Sequence, residues 1–318
     1  MKSDRQLVSL VVPVFNEEKN IDSFYRRVLT AIEPLVPNFD FEFIFTDNHS
    51  TDQSFGILNQ LSAKDKRIRI VRFSKNFGYQ ASIYTAYSYC RGDVAIQLDC
   101  DLQDPPELIQ AFLEKWGEGF HVVYGIRRSR KEGFLMNATR RIFYRLMHKL
   151  SEDPLPPDAG DFRLVDRVIL EELKKIRDVN PYLRGTIASL GFNQIGIPYD
   201  RDSRQHGKSK FSVSNLFGLA LDGILNQSIL PLRIATFIGL AISLAMVLIM
   251  LIYASGRLFF DTQWPAGFAT TTILLLLSIA LNGIFLGIIG EYLGRIYRQV
   301  KARPLVIIEK VVNVTQEQ

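Results

Sequence analysis

Val94-Ala95-Ile96-Gln97-Leu98-Asp99-Cys100-Asp101-Leu102-Gln103-Asp104-Pro105-Pro106-Glu107 decides how this chain folds. Val94 to Leu98 is a short, mostly apolar run that reads as a buried strand. Everything after it is acid, amide and proline, so the strand ends where the acids begin. Acids at a strand's C-terminal edge stand where open α/β sheets bind ligands. Two carboxylates one residue apart can direct oxygen at a hard divalent cation that also grips a diphosphate. Asp104 to Glu107 have an ordinary role as a helix start, with Asp104 as N-cap, Pro105 in the first turn and Glu107 favoured by the helix dipole. Asp99 and Asp101 precede that cap and are not explained by it. An isolated Asp-x-Asp is a weak signal, and its surroundings must strengthen it.

Outward from this stretch, strand and helix alternate. Residues 7–14 are an apolar, β-branched run, and Asn16-Glu17-Glu18 opens an amphipathic helix expected to reach Leu35. Residues 41–45 form a second strand that ends in Thr46-Asp47-Asn48-His49-Ser50-Thr51-Asp52, with a helix over 54–63. Residues 68–73 form a third, followed by Ser74-Lys75-Asn76-Phe77-Gly78 and a helix to about Tyr89. The fourth is the quoted strand, with a helix over 106–116; further strands are expected over 121–125 and 162–165. Repeated βα units imply a mostly parallel, Rossmann-like sheet covered on both faces, with the loops that follow the strands gathered along one side.

Composition splits the chain. The 318 residues are 47% hydrophobic and 22% charged, ordinary for a folded protein. Residues 234–255 and 262–290 nevertheless carry no charge, and each run exceeds the roughly 20 apolar residues that cross a bilayer. Two transmembrane helices are therefore expected after a soluble domain. Arg201, Arg204, Lys208, Lys210 and Arg233 precede the first run, and Arg295, Arg298, Lys301 and Arg303 follow the second. The connection holds only Arg257 as a basic residue, so both termini and the soluble domain are expected on the cytosolic side of an inner membrane. Residues 1–6 are polar and run straight into a strand, unlike a secretory signal. Cys90 and Cys100 have no metal-ligand spacing. The formal net charge of +5, with its basic residues beside the spans, suits an anionic membrane surface and not a nucleic-acid partner. No phosphate-binding G-x-x-x-x-G-K-[ST] loop and no H-E-x-x-H occurs, which argues against an NTPase or a zinc protease.

Taken in order, Val12-Pro13-Val14-Phe15-Asn16-Glu17, Asp47 with Ser50-Thr51-Asp52, Asn76-Phe77-Gly78 and the acidic stretch resemble the motifs of family 2 glycosyltransferases with the nucleotide-sugar GT-A fold. Asp161-Phe162-Arg163-Leu164, Arg204-Gln205-His206-Gly207-Lys208-Ser209-Lys210 and the terminal apolar runs narrow the resemblance to polyisoprenyl-phosphate glycosyltransferases, a group that includes bactoprenol glucosyltransferases and dolichol-phosphate mannose synthases. The resemblance implies that Pro13, Phe15 and Glu17 border the base and ribose and that Asp47 accepts a hydrogen bond from the base. It also implies that Asp99, Asp101 and Gln103 hold the diphosphate and its metal. Where many relatives carry Asp-Asp-Gly-Ser, this chain has Asp47-Asn48-His49-Ser50, which removes a charge and a glycine. For Asn48 to Ser50 a polar turn serves as well as a ligand contact.

The residues support the same chemistry independently. A diphosphate leaving group develops negative charge, which Mg²⁺ or Mn²⁺ on carboxylate oxygen neutralises. A lipid phosphate, with a second pKa of about 6, is already largely dianionic at neutral pH and needs cationic positioning more than a base. Arg127, Arg140, Arg204, Ser209 and Lys210 are the candidate lipid-phosphate contacts, with Arg141 the near rival of Arg140. Most cations of residues 134–150 alternate with apolar residues as in a helix lying on a bilayer. Asp161, with Asp158 as alternative, is expected either to accept from sugar hydroxyls or to fix a catalytic arginine.

The expected organisation is a GT-A domain over residues 1–210, an interfacial helix over 211–231, two membrane helices within 232–292 and a cytosolic tail over 293–318. The expected activity is inverting transfer of a hexose from a nucleotide diphosphate sugar to a polyprenyl phosphate, with UDP-glucose and undecaprenyl phosphate the leading pair. GDP-mannose with dolichol phosphate is the same-class rival, and a non-catalytic nucleotide-binding scaffold subunit is the alternative from another class. Membrane lipid is an expected partner, while a homo-oligomer and a separate flippase stay open. Residues 295–314 have two open destinations, the chain's own domain or a neighbouring copy.

Overall fold

The computed structural model describes residues 5–128, 159–179, 181–201, 230–259 and 267–314. The candidate residues Arg140, Arg141, Asp158, Arg204, Ser209 and Lys210, the segment expected over 134–150 and all but the last two residues of the helix expected over 211–231 lie outside them. Two compact units result, one formed by Met1–Leu216 with Arg303–Gln318 and the other by Phe217–Ala302.

In the first unit the chain runs β1 (Gln6–Val14), α1 (Ile21–Ile32), β2 (Phe39–Asp47), α2 (Ser54–Lys64), β3 (Ile68–Phe73), α3 (Tyr79–Ser88), β4 (Val94–Gln97), α4 (Leu108–Gly117) and β5 (Val122–Arg127). It continues through β6 (Ala159–Asp166), α5 (Arg167–Lys175), α6 (Leu183–Ser189) and β7 (Gln194–Tyr199), and β8 (Ile308–Val312) joins from the far end of the sequence. The strands form one sheet in the order β7-β5-β6-β4-β1-β2-β3-β8. β1 pairs in parallel with β2 and β4, and β2 with β3; β6 is antiparallel to β4 and β5, and β8 is antiparallel to β3. The mostly parallel α/β sheet expected from the repeated units is present.

Alternation along the strands builds two cores. Val8, Leu10, Val12 and Val14 of β1 face one way with Phe41, Phe43 and Phe45 of β2, against Phe24 of α1 and Phe112 of α4. Val11, Ile44 and Ala95 face the other way, against Ile83 and Ala86 of α3 and Leu170 of α5. A strand buried on both faces needs apolar residues at every position, which is why β1 reads as a continuous run.

Helix α1 begins later than the sequence suggests. Asn16 takes a left-handed φ of 55°, and Glu17 to Asn20 form a turn in which the Asn20 and Ile21 N–H groups donate to the Glu17 carbonyl. Its far end tightens into a 3₁₀ turn over Glu33–Leu35, where Pro34 has no N–H for the α ladder.

The second unit carries α7 (Leu230–Phe259) and α8 (Phe268–Val300). Within α8, Leu277–Val300 is long and apolar enough to cross a membrane, while Ile234–Ile249 of α7 is a shorter apolar stretch. Large apolar side chains such as Leu240, Leu244, Leu251, Leu286 and Leu293 are exposed on these helices.

Candidate active site at the C-terminal edge of the sheet

The parallel register brings the loops to one edge. Val14 lies level with Asp47 across β1 and β2, Asp47 with Arg72 across β2 and β3, and Val11 with Gln97 across β1 and β4. Pro13 is buried beside Thr46, and Phe15 and Glu17 follow half-buried in the first loop. That loop is stitched to the second: Asn16 N–H donates to Ser50 Oγ (3.0 Å), Thr51 N–H to Asn16 Oδ1 (2.8 Å) and Glu17 N–H to Ser54 Oγ (2.8 Å). Asn48 then bridges to the third loop, donating to Asn76 Oδ1 (2.9 Å) and accepting from Phe77 N–H (2.8 Å). Asn48 therefore works as a loop fastener, and His49 holds the left-handed φ of 59° that a glycine would otherwise favour.

Asp47 is fully buried; its Oδ1 accepts from Ser50 N–H (3.0 Å) and its Oδ2 faces Arg72 Nη1 at 3.2 Å. Burying a polar group without a partner is costly, and here the partner comes from the neighbouring strand.

The acidic loop turns sharply. Leu102 adopts φ 59° and is buried, a conformation costing a non-glycine residue about 1–2 kcal/mol, and it reverses the chain between Asp101 and Gln103. Asp101 is buried, with Oδ1 accepting from Gln103 N–H at 3.1 Å. Asp99 Oδ1 accepts from Tyr79 Oη (2.6 Å) and from Gln97 Nε2 (2.8 Å). Burial, then the nearby charges of Asp104, Asp101 and Asp161, push the Asp99 carboxyl up to about 7 against the opposing Tyr79 hydrogen bond. Burial and the Asp99 charge in turn push the Tyr79 phenol well above its ordinary value.

Asp104 corrects the sequence expectation. The N-cap of α4 is Glu107, whose carboxylate instead grips Arg27 at 2.9 and 3.0 Å, and Asp104 is buried in the sheet edge. Its Oδ1 accepts from the Tyr199 hydroxyl and from Arg201 Nε (3.2 Å), and its Oδ2 lies 3.6 Å from Arg127 Nη2. Arg127 Nε also donates to Tyr199 Oη at 3.3 Å. The Tyr199 ring reaches Asp104 by passing over Gly125, where a Cβ would fall 2.5 Å from the ring. Burial works against the Arg127 charge, but Asp104, Tyr199 and Asp99 outweigh it and hold the guanidinium above its ordinary value.

Asp161 fixes an arginine, and that arginine is Arg184 of α6, Nε to Oδ1 at 3.0 Å. The local patterns did not single out Arg184, Tyr199, Tyr79 or Arg72. Tyr79 could have been suspected from its place directly after Asn76-Phe77-Gly78, while Arg184 sits in a short helix with no distinguishing spacing.

Among the described residues no three His, Cys, Asp or Glu side chains converge as a ready-made metal cage. Asp99, Asp101 and Gln103 nevertheless fit a hard divalent cation that takes one or two carboxylates and completes its shell with substrate phosphate and water. Gln97 Oε1 is buried without a hydrogen-bond donor among the described residues, and the charges of Asp104, Asp101 and Asp161 add to burial in raising the Asp99 pKa. Arg127, Arg201 and Arg184 pair with Asp104 and Asp161, and a bound cation would supply the positive charge beside Asp99 and Asp101.

Comparison with known proteins identifies the scaffold. The profile described as glycosyl transferase family 2 matches residues 9–174. The chain is 39% identical over 303 residues to the uncharacterized glycosyltransferase YkcC of Bacillus subtilis, covering 95% of this chain and 93% of that one. It is 35% identical over 304 residues to the SfII prophage-derived bactoprenol glucosyl transferase of Shigella flexneri, covering 95% and 97%. Among solved structures, the mannosyltransferase PcManGT of Pyrobaculum calidifontis, in complex with GDP-Man and Mn²⁺, matches 94% of this chain and 86% of its own at 16% identity, with a TM-score of 0.50. This last likeness shows the fold, of the GT-A kind, alone.

Proposed function

The chain belongs to glycosyl transferase family 2 and is a glycosyltransferase, and on that premise we propose that it transfers a hexose, glucose from UDP-glucose, to undecaprenyl phosphate. The observation that carries the acceptor and the sugar is the match to a bactoprenol glucosyl transferase along nearly the whole of both chains, apolar C-terminal runs included. Leu277–Val300, together with the uncharged run 234–255, supports a membrane enzyme with two spans and a catalytic domain at the cytosolic face.

In this proposal Pro13, Phe15, Glu17 and Asp47 take the base and ribose. Asp99, Asp101 and Gln103 hold a divalent cation, Mg²⁺ or Mn²⁺, which when bound neutralises charge on the leaving diphosphate. A lipid phosphate oxygen forms a bond to the anomeric carbon from the face opposite the departing nucleoside diphosphate, which leaves with the electron pair of the broken C–O bond, so configuration inverts. The acceptor arrives as the anion and leaves no proton to remove. Two anions must meet, and Arg127 meets that need. Buried Asp104 orients Arg127 and Arg201 toward the same edge as Asp99, and preorganised cations stabilise charge without reorganising during the reaction. Arg140, Arg204, Ser209 and Lys210 join them as lipid-phosphate contacts, and Asp161 holds Arg184 beside the acids.

The test is the purified full-length protein in detergent with undecaprenyl phosphate, a divalent cation and a panel of UDP-glucose, UDP-N-acetylglucosamine and GDP-mannose. A lipid-linked glucose from UDP-glucose is the expected product. Product from GDP-mannose instead gives the chain to the mannosyl-transferring branch, and no lipid-linked product from any donor leaves the scaffold alternative.

A further inference from the structure

The arginine that pairs with Asp47 is itself contacted by a strand from the other end of the chain. Arg72 faces Asp47 Oδ2 at 3.2 Å, and on its other side Arg72 Nε donates to Glu309 Oε2 at 3.1 Å. The guanidinium lies over the Phe55 ring, 4.2 Å from its centroid, so it is held on three sides. Glu309 Oε2 also stands 3.3 Å from Nδ1 of His49, the left-handed residue of the same loop, and that nitrogen lies 3.0 Å from the Phe73 carbonyl. Glu309 belongs to β8, which follows α8 directly in the chain. Beyond the β3–β8 ladder, Ser74 N–H donates to the Ile307 carbonyl (2.9 Å), and Asn313 Nδ2 donates to the Ser62 and Ile68 carbonyls (3.0 Å each).

We infer that β8 is a working part of the donor site, with Glu309 a positioning residue that sets affinity for the nucleoside diphosphate by fixing Arg72 against Asp47 and His49 in its turn. The inference rests on the proposed contact of Asp47 with the base. Its physical content is a relay of fixed geometry. Ser50 N–H holds one oxygen of buried Asp47 and Arg72 faces the other, and Arg72 is a long side chain whose rotamers Glu309 restricts. Nothing in the acidic loop takes part, so a change at Glu309 acts on donor affinity and not on the transfer step.

Isothermal titration of full-length protein in nanodiscs with UDP and GDP identifies the tighter nucleotide, and steady-state kinetics with the matching sugar donor complete the readout. Glu309→Ala is expected to weaken nucleotide binding and raise donor KM by about threefold or more, with kcat and the KM for polyprenyl phosphate moving by less than about twofold. Glu309→Gln, which keeps an acceptor for Arg72, recovers part of the loss. Unchanged nucleotide binding in Glu309→Ala, or a loss confined to kcat, overturns the inference. Should Glu309→Ala lose its thermal transition, Arg72→Lys decides, because it keeps the charge but not the two-sided fork, and wild-type binding in it overturns the inference equally. Asp47→Asn separates the two levels. Unchanged nucleotide binding there sinks the donor-site reading itself, whereas a loss there without one in Glu309→Ala sinks only the role of β8.

Discussion

Asp104 Oδ2 lies 3.6 Å from Arg127 Nη2, a buried acid from the loop after β4 facing a guanidinium at the end of β5. The same carboxylate accepts from Tyr199 and Arg201, so one side chain sets the place of two cations. Removing it leaves charge with no counterpart. Asp104→Ala is expected to cost about 3 kcal/mol of stability, the scale for breaking a buried pair, read as a shift in denaturant midpoint of the full-length protein. Its donor-saturated KM for polyprenyl phosphate should rise, and wild-type values for both would remove Asp104 from the site.

Asp101 is buried within the turn that Leu102 makes. Asp101→Asn keeps the shape and removes the charge, and it is expected to lower kcat by about 10²-fold or more, the scale for losing one preorganised electrostatic contact. Treatment with a chelator should abolish transfer by the wild type, and added Mg²⁺ or Mn²⁺ should restore it. Full activity in excess chelator would exclude the metal assignment.

Glu42 lies far from the acids and serves the fold. It is buried, accepts from Ser9 Oγ (2.6 Å) and Arg91 N–H (2.8 Å), and pairs with buried Arg69 at 3.0 Å. Burial alone would raise its pKa, but these hydrogen bonds and the Arg69 and Arg91 charges together hold it below the usual carboxylate range. A folded pKa below the unfolded one contributes stability that is fully present above the unfolded value of about 4.3 and lost as pH falls through the folded value. Urea midpoints measured from pH 7 downward should therefore fall less steeply below about pH 4.3 in Glu42→Gln than in the wild type. The substitution should also cost about 3 kcal/mol at pH 7, because Arg69 is left buried beside a neutral group.

Cys90 and Cys100 are free and buried. Burial pushes the Cys90 thiol up to about 12 and the Cys100 thiol well above its ordinary value, and a thiol without thiolate is a poor nucleophile. Iodoacetamide at pH 7.5, taken as about neutral, should label neither in the folded protein and both in urea, by intact mass. Rapid labelling of Cys100 under native conditions would mean that the acidic loop opens.

Much of this protein was legible one segment at a time. The strand before Asp99 and Asp101, the βα repeat and the uncharged runs all follow from patterns a few residues long, and β3 falls on the residues expected for it. Asp104 misled because a carboxylate before Pro-Pro-Glu has the local form of a helix cap, and local form carries no word of Tyr199, 95 positions away. The tail, whose destination the sequence left open, pairs within this chain with the edge of β3 as β8.

The amino-acid order alone determined where strands stop, which loops carry acids and amides, and which runs are apolar enough for a bilayer, because backbone propensity and hydrophobic period are properties of neighbours in sequence. Only the folded sheet decided which charges meet. Arg72 and Glu309 are 237 positions apart and meet because β8 is set beside β3, and Asp161 of β6 reaches Arg184 of the helix α6; neither pairing is visible between sequence neighbours.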